Sequence, residues 1–159
     1  MIKNLQTIFG VNVDAQYQAG EELKRGDFVK VDGGKLKRAT SVSEVVGVVV
    51  RDVKVTKDVA MGYPVSDWDA EQDTILKDEY CGLRVLQKGE RFATNCVDSE
   101  NMTGEASKGA AGEYVIVANG KLKGTSTQNT DTGLKSLGKM NVAGHEMFGF
   151  VVTKQLKGK

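Results

Sequence analysis

The sequence is poor in the residue types on which catalytic and metal sites are built. Its 159 residues include one histidine and two cysteines. Cys81 and Cys96 lack metal-ligand spacing, which excludes a zinc or cluster motif. They read as reduced thiols, one or both packed in the core, and their pairing stays open. His145 has no neighbouring Ser or Cys motif to serve as base for, so it reads as a loop or strand-start residue. No GxSxG, P-loop, HExxH or CxxC pattern occurs. Long apolar runs are missing too: the longest Val-rich stretch, 45–50, is one strand and no membrane span. Polar residues rather than an apolar segment follow Met1-Ile-Lys-Asn, so no secretory signal is expected. Neither sign of charge dominates, because 22 Lys and Arg face 21 Asp and Glu for a net +1. That excludes nucleic-acid or membrane binding driven by bulk charge. The basic clusters at 35–38 and 154–159 read as a solvated hairpin edge and a solvated tail.

Proline occurs once and glycine 19 times, and with frequent Val and Thr this favours many short strands joined by tight turns. Charged residues at 27% and apolar residues at 40% describe a globular chain with a real core, one domain or two very small ones. The chain also nearly repeats itself. GDFVKVDGGKLKRAT (26–40) aligns without a gap on GEYVIVANGKLKGTS (112–126), with seven of fifteen positions identical. Each copy is followed by a second matching piece, EVVGVVV (44–50) and EMFGFVV (146–152), with four of seven identical. The second copy carries an insertion, 127–144.

A repeat of this kind is one supersecondary unit used twice. Gly33-Gly34 and Asn119-Gly120 suit type I′ hairpin turns, whose two central residues need positive φ. The resulting register pairs Val31 with Leu36 and Val117 with Leu122, and sets Lys30 opposite Lys37 on a solvent-facing side. Val46, Val48 and Val50 form the next strand, with Phe148, Phe150 and Val152 as counterparts. Gly47 and Gly149 inside those strands imply a bulge, a bend or close backbone approach, as at a small barrel's corner. The expected fold is therefore all-β, one or two small barrels built from a duplicated hairpin-plus-strand unit, with at most one short helix. Residues 1–24 read as an N-terminal arm, or a first strand plus a loop, preceding a barrel domain over 25–159. The helix candidate is Ser66–Leu76, with Ser66 or Asp67 as N-cap. Residues 81–94 read as strand, turn at Lys88-Gly89, strand. Segments 98–111 and 127–144 read as loops, the latter with a helical turn near Leu134–Leu137.

Asp67, Asp69, Glu71, Asp73 and Asp78 fall at positions 1, 3, 5, 7 and 12 of a calcium-loop register. Gln72 replaces the glycine that loop needs, and Asp78 its bidentate glutamate, so acids favoured at a helix start are the better reading. Neither a cofactor nor a catalytic set is expected. Trp68 and Tyr63 beside the lone Pro64 could form a recognition patch or a lid on the core.

The string AGEELKRGDFVKV (19–31), then GGKL, then Ala39-Thr40, then VVGVVV (45–50), resembles the small tailed-phage virion proteins that decorate or cement capsids. That resemblance implies a structural protein on the capsid exterior, made in the host cytoplasm. It would bind the major capsid protein and self-associate around a symmetry axis, with no membrane or nucleic-acid partner. Candidate contacts are Ile2, Leu5, Ile8, Phe9, Val11, Val13 and Tyr17 in the arm, Trp68, and Leu134 and Leu137 in the second-copy loop. The alternatives are a receptor- or carbohydrate-binding module of a tail or fibre, motivated by Trp68 and Tyr63, and a metal-assisted hydrolase using the 67–78 acids.

Overall fold

The computed structural model describes residues 2–6, 14–50, 73–103, 108–125 and 130–158. Thirteen strands run through these segments. The first six are β1 (Ile2–Gln6), β2 (Asp14–Ala19), β3 (Leu23–Lys24), β4 (Phe28–Asp32), β5 (Lys35–Arg38) and β6 (Gly47–Val50). Then follow β7 (Thr74–Ile75), β8 (Tyr80–Arg84), β9 (Arg91–Thr94), β10 (Val115–Ala118), β11 (Lys121–Gly124), β12 (Leu134–Val142) and β13 (His145–Val152). Val42–Glu44 form a 3-10 turn, and Asp73, inside the helix candidate, also has 3-10 conformation. The helix candidate falls mostly outside the described residues, and its end is strand β7.

Both hairpins form in the expected register. Val31 pairs with Leu36 and Lys30 with Lys37, and Val117 pairs with Leu122. Gly33 and Gly34 have φ of 58° and 77°, and Asn119 and Gly120 have 48° and 75°. These are type I′ values, which match the strand twist and need residues that tolerate positive φ. The opposed lysines each find a carboxylate: Lys30 reaches Glu44 at 3.1 Å and Lys37 reaches Asp32 at 2.8 Å.

Strands β2-β5-β4-β6-β8 close into a barrel. Its interior holds Ala19, Leu23, Val29, Leu36, Val49, Ile75, Cys81 and Leu83. The closing strand, β2, runs parallel to β5 and antiparallel to β8. Residues 14–24 are therefore not arm: β2 completes the barrel and Leu23 of β3 is fully buried. Of the described N-terminal residues, β1 is the added piece, antiparallel on β9 with Ile2 opposite Thr94.

Strands β9 to β13 repeat the same cycle. In the first barrel Leu83 pairs with both Ala15 and Val49; in the second set Phe150 pairs with both Phe92 and Ser136. Gly26 donates to the Val49 carbonyl and Val49 to that of Asp27, at 2.8 and 2.9 Å. Gly112, Ser136 and Glu113 make the equivalent pair of bonds, both 2.8 Å. The two remaining joints shrink to single bridges, Tyr114 with Lys135 and, in parallel sense, Val97 with Leu122. Two copies of one five-strand cycle thus occupy 14–84 and 91–152.

This equivalence corrects the outer half of the sequence repeat. The structural counterpart of β6 is the start of β12, and that of β13 is β8. β12 lies in the segment expected as a loop with a helical turn. Its inward positions after Leu134 are Ser136 and Gly138, both buried, so the apolar alternation that marks a strand is diluted there. The V-x-G-hydrophobic pattern reports burial, a condition several strands of the cycle share.

The two cycles are fused by a common core. Phe28, Ala39, Val45 and Val48 of the first pack with Phe92, Val115, Leu122, Phe148 and Phe150 of the second. The rings of Phe28 and Phe92 lie 6.1 Å apart, and those of Phe92 and Phe150 5.6 Å. Burying each such ring is worth about 2–3 kcal/mol. The tip of the second hairpin plugs into the base of the first: Phe28 N–H donates to the Gly120 carbonyl at 2.8 Å, and Gly120 N–H to that of Ala39 at 2.9 Å. β6 is consequently buried on both faces, Val49 inside its own barrel and Val48 in the shared core.

Gly47 carries the expected close approach, since a Cβ there would sit 2.3 Å from the Arg84 carbonyl oxygen. At Gly82 the nearest atom would be a Val50 methyl at 2.8 Å, which can move. Gly47→Ala is expected to cost about 3 kcal/mol and Gly82→Ala about 1 kcal/mol, measured by urea unfolding. The Glu44 carboxylate accepts from Thr40 N at 2.9 Å, Thr40 Oγ1 at 2.8 Å and Lys30 Nζ. The Thr40 amide first, then its hydroxyl and Lys30, pull the carboxyl from 4.5 to about 2. A lowered folded value gives stability that is present above pH 4.5 and disappears as pH falls towards 2. The stability gap between the native chain and Glu44→Gln is therefore expected to be flat near neutrality and to close across that acid window in pH-dependent unfolding.

Candidate interaction surface

The buried ionisable groups of this chain are engaged with one another. Asp27, 2% exposed, lies where the two cycles meet. Its carboxylate accepts from Lys24 N at 2.8 Å, Arg38 Nε at 3.0 Å and the Cys96 thiol at 3.2 Å. Burial first, then the Asp27 charge, pushes that thiol up to about 12, so it is a protonated donor and no nucleophile at neutral pH. Arg25 pairs with Asp73 at 2.9 Å, and Arg84 approaches Glu90 at 3.4 Å. These groups neutralise each other and leave no convergent acid–base pair among the described residues.

Of the acidic segment, Asp73 and Asp78 are the described members, and each is engaged by a different cation. Asp67, Asp69 and Glu71 lie outside the described residues, while Asp73 and Asp78 are held apart by Arg25 and by Lys35, the latter at 2.6 Å. Among the described residues no group of three metal-ligating side chains gathers. His145 opens β13 directly after the Ala143-Gly144 turn. An open groove of about 570 Å³ runs between the 3-10 turn, β10 and the 154–158 tail. Val42, Ile116, Val117 and Leu156 line it with hydroxyls and two lysines, and no carboxylate, thiol or imidazole.

The expected contact residues scatter. Ile2 is half-buried against the shared core and Leu5 is 42% exposed on β1. Tyr17 is half-buried against the first barrel's core. Leu134 is fully buried inside the second cycle and cannot meet a partner. Leu137 is half-buried on β12 at its register shift. Ile8, Phe9, Val11, Val13 and Trp68 lie outside the described residues, as does Tyr63. Loop 98–111 is also less superficial than expected, because Met102 is buried in the shared core.

A different patch stands out. Tyr80 is 64% exposed and Leu76 56% exposed, and they bracket the tight turn 77–79 at one rim of the first barrel. Glu79 N–H donates to the Leu76 carbonyl at 3.1 Å, and Asp78 sits at φ 69°. Tyr80 pairs with Gln18 and Gln18 with Lys35, so one cross-strand row links the tyrosine to the tip of the first hairpin. There Val31 is 36% exposed, and the Lys35–Asp78 and Lys37–Asp32 pairs form a charged fringe. Hydrogen bonds from these lysines hold both aspartates below their usual range. An aromatic and an aliphatic anchor edged by ion pairs is the anatomy of a protein-binding patch. Apolar residues on both sides of Lys77-Asp78-Glu79 were the available signal, hidden because Leu76 reads as the end of a helix.

Comparison with protein-family models, with curated proteins and with solved structures finds no match to the chain. No helix among the described residues is long and apolar enough to cross a membrane.

Cys81 and Cys96 are both buried thiols and are not joined in a disulfide. Neither is expected to react with a thiol reagent at pH 8 in the native protein, and both are expected to react in denaturant. The raised folded value of Cys96 gives stability that is complete below pH 9 and is lost as pH climbs towards 12, readable by alkaline unfolding against Cys96→Ala.

Proposed function

We propose that the chain is a structural virion protein that binds the outer surface of a phage capsid and reinforces it. The observation that carries this reading is the exposed Leu76–Tyr80 rim on a body whose buried charges Arg25, Asp27 and Glu90 pair internally. The resemblance in residues 19–50 supports it, since those residues build three of the five strands of the closed barrel, β4, β5 and β6, and the hairpin turn between two of them. The major capsid protein is the partner, and copies cluster around a symmetry axis of the shell. A rigid body bound in many copies reinforces a lattice through multivalency, each weak contact acting at high effective concentration. Near-zero net charge limits attachment to packaged DNA and to membranes.

The test is co-sedimentation with unexpanded and expanded phage heads, followed by imaging of the pellet. The expected outcome is stoichiometric occupancy of expanded heads, greater resistance of those heads to heat, and a loss of about tenfold or more in affinity for a Leu76→Ser/Tyr80→Ser variant. Absence of binding to every shell form removes the reading. Deleting residues 1–18 is not a useful probe, because β2 closes the barrel.

A further inference from the structure

β2 and β9 hold the same place in the two cycles. β8 pairs with β2 as β13 pairs with β9, so Tyr17 opposite Cys81 corresponds to Thr94 opposite Phe148. The outer edge of β9 is occupied: β1 lies antiparallel along it, with Ile2 opposite Thr94, Lys3 opposite Ala93 and Asn4 opposite Phe92. The outer edge of β2 meets β5 only at Gln18 and Ala19. Among the described residues no strand pairs with that edge at Asp14–Tyr17. Ala19 N–H donates towards β8, to Glu79. By strand alternation the N–H and C=O of Gln16 therefore point away from β8, towards the open side.

Burial differs in the same sense. Thr94, covered by β1, is 0% exposed, whereas Tyr17 in the equivalent position is only half-buried. The β2 sequence, DAQYQA, carries no proline or lysine, the residues that commonly block an open edge.

We propose that the β2 edge at Asp14–Tyr17 accepts an extended strand of the shell subunit, an inference that rests on the function proposed above. The strand runs antiparallel to β2 and sets an aliphatic side chain opposite Tyr17, as Ile2 is set opposite Thr94. Backbone pairing supplies the attraction and that aliphatic position supplies the selectivity. A second copy of this chain is a poor donor. Among the described residues the suitable strand is β1, which already sits on β9, and lending it would uncover Thr94 and leave one edge open for each one filled.

Gln16→Pro tests this, because proline deletes only an outward-facing N–H and is tolerated on an edge. Gln16→Ala keeps the N–H and serves as control. The expected result is a native-like thermal midpoint for both variants, wild-type binding to expanded heads for Gln16→Ala, and a loss of about tenfold or more for Gln16→Pro. Hydrogen exchange of the Gln16 amide in the wild-type protein is expected to be fast when free and slow on the shell, a readout that stands if Gln16→Pro fails to fold. Equal shell binding by Gln16→Pro and wild type overturns the edge assignment and leaves the structural reading intact. A Gln16 amide already slow in the free protein also overturns it, because the edge is then held by this chain or by its copy. Failure of the wild-type protein to bind any shell removes the structural reading and this inference with it.

Discussion

The peptide group of Gly120 sits at the point on which the two halves of the molecule depend. Through its carbonyl it holds Phe28, and through its N–H it holds Ala39, so the tip of one hairpin closes the base of the other. Behind it Phe28, Phe92 and Phe150 form a continuous run of rings from one five-strand cycle into the next. A cycle of some 60 to 70 residues buries too little surface to be comfortable alone. Sharing Phe28, Val45 and Val48 across the seam gives the second cycle much of its core. The Asp27 cluster completes the seam with an ion pair to the partly exposed Arg38 and a hydrogen bond from the Cys96 thiol.

Local stereochemistry was readable in the residues, and long-range assembly was not. Gly-Gly and Asn-Gly fix a turn by the φ values they alone accept cheaply, so both hairpins and their registers follow from a few residues. β8 and β9 flank the Lys88-Gly89 turn as the pattern implies. β12 is invisible to the same logic because its interior positions are filled by Ser136 and Gly138. The Ser136 hydroxyl donates to the Gly109 carbonyl at 2.6 Å, a contact that only the finished fold supplies. β2 hides for a related reason, its burial being created by β5 and β8 from far along the chain. The exposed patch escaped because exposure of Leu76 and Tyr80 depends on which side of a turn faces the barrel.

The two cycles keep one pairing scheme while sharing sequence only in the hairpin. At the positive-φ positions Gly26 and Gly112, and Gly34 and Gly120, residue identity persists, while Gly33 is exchanged for Asn119. Elsewhere the scheme tolerates Val49 against Ser136 or Leu83 against Phe150 at equivalent places, because volume can be traded between neighbours in a shared core. Gly47, pressed against the Arg84 carbonyl, has Leu134 as its counterpart, so that close approach belongs to the first cycle alone.

The order of these elements along the chain has a consequence for biosynthesis. Residues 14–84 can close their barrel while 91–152 are still being translated. Until the later strands emerge from the ribosome, Phe28, Ala39, Val45 and Val48 form an uncovered greasy plate on a finished half-molecule. Such nascent surfaces are what chaperones hold and what aggregation exploits. The N-terminal strand must wait as well, because its seat on β9 does not exist when it is made.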